Sequence, residues 1–211
     1  MKRMKQTVAA GLLLLGVLFS GSTFAAKDSP VQLSAEVIEY HANEKFVQAK
    51  GNVIITQDKI TLRGPYGEYR SETRTAMVNG GIFMSTETMS LTGQRVDYNT
   101  DSGVGLVTGE PRMENKDGAW VTGDKIDFYV KEDRAVVVGN VHVVHPGRQI
   151  DAVADYATYY GKERKVVLTG HTRAIQEGNT LVGDTLTIYM DDKTMDAQGN
   201  TKLVIIPDEK K

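Results

Sequence analysis

The stretch FVQAKGNVIITQDKITLRG (Phe46–Gly64) alternates apolar and polar residues, then interrupts the alternation with a glycine at Gly51 and again at Gly64. Val53, Ile55, Ile60 and Leu62 alternate with Asn52, Ile54, Thr56, Thr61 and Arg63. Period-two patterning in Val, Ile, Thr and Tyr predicts half-buried strands. Glycine weakens a strand interior, because it offers no side chain to pack and loses most freedom on folding. A glycine that recurs there is read as serving geometry.

It does recur. QAKGNVIIT aligns with MVNGGIFMS, LVTGEPRME, VVVGNVHVV, VLTGHTRAI and DAQGNTKLV, which places glycines at Gly51, Gly80, Gly109, Gly139, Gly170 and Gly199, spaced by 29, 29, 30, 31 and 29 residues. Eleven residues before each stand Tyr40, Tyr69, Tyr98, Phe128, Tyr159 and Ile188. A second small-residue column follows at Gly64, Gly93, Gly123, Ala152 and Gly183. Six copies of one unit thus span about residues 35–206, with polar turn signals at HANEK (His41–Lys45), QDK (Gln57–Lys59), SETR (Ser71–Arg74) and KEDR (Lys131–Arg134). No amphipathic helix is expected in the units.

Antiparallel pairing about these turns puts apolar against apolar. A tight turn at Gln57-Asp58 sets Ile55 opposite Ile60, Val53 opposite Leu62 and Gly51 opposite Gly64. The neighbouring turns set Tyr40 against Val47, Ile38 against Ala49, Met84 against Met89, Ile82 against Leu91, Gly80 against Gly93, Tyr69 against Ala76, Tyr159 against Val166 and Gly170 against Gly183. The expected fold is all-β: an elongated antiparallel folded sheet resembling a β-jelly roll, creased along a line of glycines. A parallel β-solenoid shares the period but does not require the mirror pairing, and a propeller needs longer blades. The folded sheet would enclose an apolar groove. One set of lining candidates is Ile38, Tyr40, Val47, Ile55, Ile60, Leu62, Ile82, Met84, Met89 and Leu91. The later units add Val96, Tyr98, Val107, Met113, Phe128, Val137, Val141, Val143, Ile150, Leu168, Leu181, Leu186 and Ile188. For each residue singly, plain core packing is the alternative.

The 211-residue chain opens with Lys2, Arg3 and Lys5, an apolar run Val8–Phe19, and small residues at Thr23 and Ala25. This reads as a cleavable secretory signal peptide over 1–25, since the apolar run is short for a span of ~20 residues; retention as an anchor is the alternative. The expected division is then 1–25 signal peptide, 26–34 lead-in, 35–206 repeat domain and 207–211 charged tail. Three of the 25 basic residues and none of the 27 acidic ones fall in the leader, which leaves a net charge near −5. No basic cluster points to nucleic acid. The chain has no cysteine, and an exported chain of this size can fold without disulfides.

Catalytic signatures are missing. His142 and His145 stand three apart on one strand and so face opposite sides, which disfavours joint metal ligation. Asp97 with Asp101, and Asp191-Asp192, lack a calcium-loop pattern. Asp124, Asp155 and Asp184 recur at the same place in successive units, which favours a structural role at the bend over glycoside chemistry. No nucleophile motif or phosphate loop is present, so neither catalysis nor a cofactor or metal is expected.

The unit resembles the OstA-like repeat of the LptA family of periplasmic lipopolysaccharide-transport proteins. The residues that carry the likeness are AKGNVIITQDKITLRGPYGEY (Ala49–Tyr69), GDKIDFYVKEDRAVVVGNV (Gly123–Val141), VVLTGHTRAIQEGNTLVGDTLTIY (Val166–Tyr189) and KTMDAQGNTKLVII (Lys193–Ile206). The resemblance implies a periplasmic, non-enzymatic segment of a bridge between inner and outer membranes. Lipid A acyl chains would shelter in the groove, with inner-membrane LptC-like and outer-membrane LptD-like proteins as partners. An LptC-type adaptor of the same fold, membrane-linked and without its own lipid flux, is the alternative. A carbohydrate-active β-solenoid is a more distant one. The residues add their own expectation. The terminal strands VQLSAEVIEY (Val31–Tyr40) and NTKLVIIP (Asn200–Pro207) are long and apolar. Val31, Leu33, Val37, Leu203 and Ile205 are therefore expected at exposed edges used for head-to-tail strand addition.

Overall fold

The computed structural model describes residues 31–191 and 194–207, and the leader and the last four residues of the tail lie outside them. Period-two sequence becomes sheet throughout. Sixteen strands form one antiparallel sheet, and they fall into twelve lanes, two per repeat. The first lane is β1 (Gln32–Ser34) with β2 (Val37–His41). Then come β3 (Phe46–Gln57), β4 (Ile60–Arg70), β5 (Thr75–Ser85) and β6 (Met89–Asn99). The next two lanes are β7 (Val104–Thr108) with β8 (Arg112–Asn115), and β9 (Trp120–Thr122) with β10 (Lys125–Tyr129). β11 (Arg134–His145), β12 (Ile150–Tyr160), β13 (Lys165–Gln176) and β14 (Asn179–Tyr189) follow, and β15 (Met195–Gln198) with β16 (Lys202–Val204) closes the sheet. Each lane pairs with the next in sequence. The antiparallel meander excludes the parallel solenoid.

The glycines are bulges. In β3, Ala49 faces Gly67 and Val53 faces Gly64, so the bulged strand takes four steps where its partner takes three. Gly51 has φ 73° and Asn52 has φ 47°, both in the left-handed region that favours glycine and asparagine. The same shift recurs between β5 and β6, β11 and β12, and β13 and β14. The expected glycine pairs are therefore corrected. Val53 faces Gly64, Ile82 faces Gly93 and Thr172 faces Gly183. In the fourth repeat the equivalent position is Ala154, opposite Val141, and not Ala152.

The second column has its own reason. A Cβ at Gly93 would come within 2.7 Å of Val107 Cγ1, so glycine there admits the valine of the next bulged lane. In that partner lane the buried set jumps parity, from Leu91 to Val96 or from Leu62 to Gly67. The extra residue in the bulged lane matches this jump and keeps the apolar residues inward on both sides of the crease.

The recurring acids sit on the bulges. Asn140 Nδ2 donates to both carboxylate oxygens of Asp124 at 3.0 and 3.2 Å, and Asn200 does the same to Asp184. Asn52 donates to Glu36 at 2.6 Å, and His171 Nδ1 lies 2.8 Å from Asp155. The structural reading of Asp124, Asp155 and Asp184 stands.

The hairpin registers differ from expectation by two residues. Asp58 takes φ 51°, which makes Asp58-Lys59 the loop and sets Gln57 opposite Ile60 and Ile55 opposite Leu62. Thr86 accepts the N–H groups of Thr88 and Met89, closing a longer loop that sets Met84 opposite Leu91. A shift of two preserves which face each side chain occupies. At the opposite turns Tyr40 faces Val47, Ile38 faces Ala49, Tyr69 faces Ala76 and Tyr159 faces Val166, as expected.

Replacing Gly170 or Gly51 by valine is expected to cost about 1–3 kcal/mol, because φ is positive and the new side chain would collide with Asp155 or Glu36. Asp124→Ala should cost less, about 1 kcal/mol. Urea midpoints measure all three; a rise at both valine sites would show that the bulges are not needed.

Candidate functional site

Two half-sheets meet at the bulges, and each presents apolar rows to one continuous core. In the first half-sheet Tyr40, Val47, Tyr69, Ala76, Tyr98, Gly105, Phe128, Ala135, Tyr159, Val166, Ile188 and Met195 stand opposite one another in turn. Large rings alternate with small residues because ring and neighbour compete for the same space. Phe128 lies over Gly105, where any Cβ would collide with its ring, and stacks on Tyr98 with centroids 5.8 Å apart. Burial pushes the Tyr98 phenol above its ordinary range, and burial with nearby Asp133 does the same to Tyr159. Both rings are held neutral.

In the second half-sheet Leu33, Ile55, Leu62, Met84, Leu91, Met113, Val121, Val143, Ala152, Ala174, Leu181 and Leu203 form the facing row. Its middle members Met113, Val121 and Val143 are only partly buried, as is Leu181.

The predicted lining falls into three groups, of which Met113, Val143 and Leu181 are the partly buried one. Val47, Ile55, Ile60, Leu62, Ile82, Met84, Met89, Leu91, Tyr98, Val107, Phe128, Val137, Leu168 and Ile188 are all buried in the shared core. Ile38 and Tyr40 instead are 46% and 54% exposed. They sit on the same inward face, but in the first lane, where no further lane covers them. Sequence reading placed Ala49 and Ala76 opposite Ile38 and Tyr69 but missed Ile126, Val78 and the alanines Ala135, Ala157 and Ala174. Alternation with Phe128 could have found Ile126; alanine carries no such signal.

Of the predicted edge residues in the first lane, Val37 is exposed, whereas Val31 and Leu33, expected exposed, pack partly against the core; at the other end Leu203 and Ile205 are 58% and 66% exposed. Ile205 lies just past the end of β16. There a cavity of about 600 Å³ opens between the half-sheets, with Leu181 and Leu203 from one and Met195 and Ala197 from the other on its wall.

The outer faces carry polar chemistry. Arg95 pairs with Asp97 and Lys125 with Asp127 along the first half-sheet, and these carboxylates raise both basic groups above their ordinary values. On the second, Arg112 lies over the ring of Trp120, which meets His142 edge-on. His142 reaches Asp151 at 3.1 Å on that outer face, while the His145 imidazole, on the other side of the strand, is lowered by burial and by Arg148. Among the described residues no three His, Asp or Glu side chains converge on a metal position, and no helix is long and apolar enough to cross a membrane.

Two family models match this chain. One, described as OstA-like protein, covers residues 17–109. The other, described as LptA/(LptD N-terminal domain) LPS transport protein, covers residues 134–194. The chain belongs to the LptA/OstA-like family of lipopolysaccharide-transport proteins. This is a family of transport proteins, not of enzymes. No curated protein matches the chain. Among solved structures, LptH from Pseudomonas aeruginosa, described as the LptA homologous periplasmic component of the lipopolysaccharide transport device, matches at 15% identity, over 84% of this chain and 96% of that one, with a TM-score of 0.28.

The apolar interior of this chain is thus mostly buried along the first half-sheet, partly open in the middle of the second, and uncovered at its two end lanes. Phe128→Ala is expected to cost about 3–5 kcal/mol, and Ile38→Ala about 1 kcal/mol or less. Equal losses in chemical denaturation would contradict this gradient.

Proposed function

We propose that this member of the LptA/OstA-like family carries lipopolysaccharide across the periplasm, as one segment of a bridge that shelters acyl chains between its half-sheets. The observation that carries the reading is that both ends of the apolar interior are uncovered, at Ile38 and Tyr40 and at Leu203, in a sheet whose terminal lanes each have one unpaired side among the described residues. An acyl chain in water costs about 0.8 kcal/mol per exposed methylene. An apolar interior that continues from one molecule into the next removes that cost without catalysis. The terminal lanes supply the means of continuation, because open edges bind further strands. The first lane of one copy would pair with the last lane of another. Such a contact is heterologous and extends until capped. LptC-like and LptD-like proteins at the two membranes would be the caps.

A photo-crosslinker at Ile55, Met84, Leu91 or Ile38 is expected to capture lipopolysaccharide in cells, and one at Thr61 or Lys125 on the outer face is not. Equal labelling of the two sets would defeat the sheltered-chain reading. Assembly is tested separately by sedimentation at rising concentration. An open series of oligomers that collapses to monomer on deletion of residues 200–211 is expected; a monomer at every concentration, with no crosslinks from Leu203 or Val37 to any protein, would refute the bridge.

A further inference from the structure

The free ends of the lanes form two rims. The first half-sheet ends in turns such as 161–164 and the strand end at Tyr189-Met190; the second ends in hairpin loops such as 146–149. Polar side chains on a rim mostly tie it to itself: Lys59 pairs with Glu87 on the second, and Arg164 with Asp191 on the first. Arg148 does something else. It sits in the 3-10 turn Pro146–Arg148 of the second rim, and its guanidinium donates to the carbonyl oxygens of Tyr189, at 2.7 Å, and of Met190 on the first. It therefore crosses the mouth of the folded sheet. The fourth repeat is the one whose second small position is Ala154, displaced by its longer hairpin, and that hairpin provides the reach. Gln176 Nε2 holds the Arg148 carbonyl from β13 at 3.5 Å, and Gln176 also stands in the wall of the cavity beside Leu181 and Met195.

Both acceptors on this guanidinium are neutral. A planar guanidinium bonds phosphate oxygens bidentately, and there the acceptor carries the opposite charge, which a carbonyl does not. Carbonyls are sufficient to hold it but are the weaker partner. We propose that Arg148 is a clasp and a phosphate-binding residue. The phosphate group of a phosphorylated, multiply acylated glycolipid takes the guanidinium from Tyr189 and Met190, which frees the second rim from the first and opens the interior to the acyl chains. This rests on the lipid-carrying reading above and adds the group that triggers entry.

The chain has no cysteine, so spin labels at Gly147→Cys and Lys162→Cys report the distance between the rims without interference. Three additions are compared: diphosphorylated lipid A, the same lipid dephosphorylated, and inorganic phosphate. Capture by a crosslinker at Leu91 is read in parallel. With the parent protein, phosphorylated lipid is expected to lengthen the distance at about a tenth of the concentration that the dephosphorylated lipid needs. In Arg148→Gln the distance should be long without any addition, and the two lipids should be captured alike. Arg148→Lys, which keeps the charge without the fork, should fall between. Two lipids of equal potency on the parent protein, with capture at Leu91 intact, overturn the clasp and leave the carrier reading standing. Opening by inorganic phosphate alone at the lipid's effective concentration overturns the headgroup assignment. No capture of either lipid overturns both. Urea midpoints of the Arg148 variants show whether a change comes from the clasp or from lost folding.

Discussion

The structure depends on a backbone constraint repeated along the chain: a left-handed glycine, followed by a second left-handed residue, that inserts one extra position into a strand. Without it, the parity jump in the neighbouring lane would turn half of every bulged lane inside out. With it, Val47 and Ala49 on one side of the bulge and Val53 and Ile55 on the other all point inward. The cost of the conformation is met locally. Asn52, Asn140 and Asn200 tolerate the left-handed region and are tied to the acid of the preceding lane. Fold and crease are thus one device, copied along the sheet.

That device sets the character of the interior. Rows of opposed residues run the length of the sheet, and their packing is complementary across lanes, with Phe128 filling the space that Gly105 leaves. Such an interior is a continuous apolar strip rather than a single pocket. It is tight along most of the covered lanes, looser at Met113, Val121 and Val143, and uncovered where the lanes end. The bridge proposed above would use both properties, a dry path and a means of continuing it, and neither calls for a reactive group.

The outer surface serves the same architecture. Ion pairs between residues two apart on one strand are solvent-exposed and contribute modestly each. They keep the outward faces wet and leave the edges and the interior as the apolar surfaces. Arg148 stands apart because its bonds run between rims and not along one.

Much of this was legible in the sequence, and what was legible has a common basis. Period two, the glycine and aromatic columns, and the recurring acids are local features with fixed spacing, so they gave strands, repeat number, the inward set and the structural role of Asp124. Parity alone assigned Ile55, Met84 and Leu91 to the interior, and it survived a register wrong by two. The tertiary structure decided the rest. A glycine in a strand fits a facing pair or a bulge equally well in sequence, and only the partner lane's step count distinguishes them. Exposure of Ile38 and Tyr40 follows from a missing neighbour, not from their own chemistry, which matches that of buried Val47 and Tyr69. The contact of Arg148 with Tyr189 and Met190 joins residues some forty positions apart, because the sheet folds over, and no spacing along the chain encodes that closure.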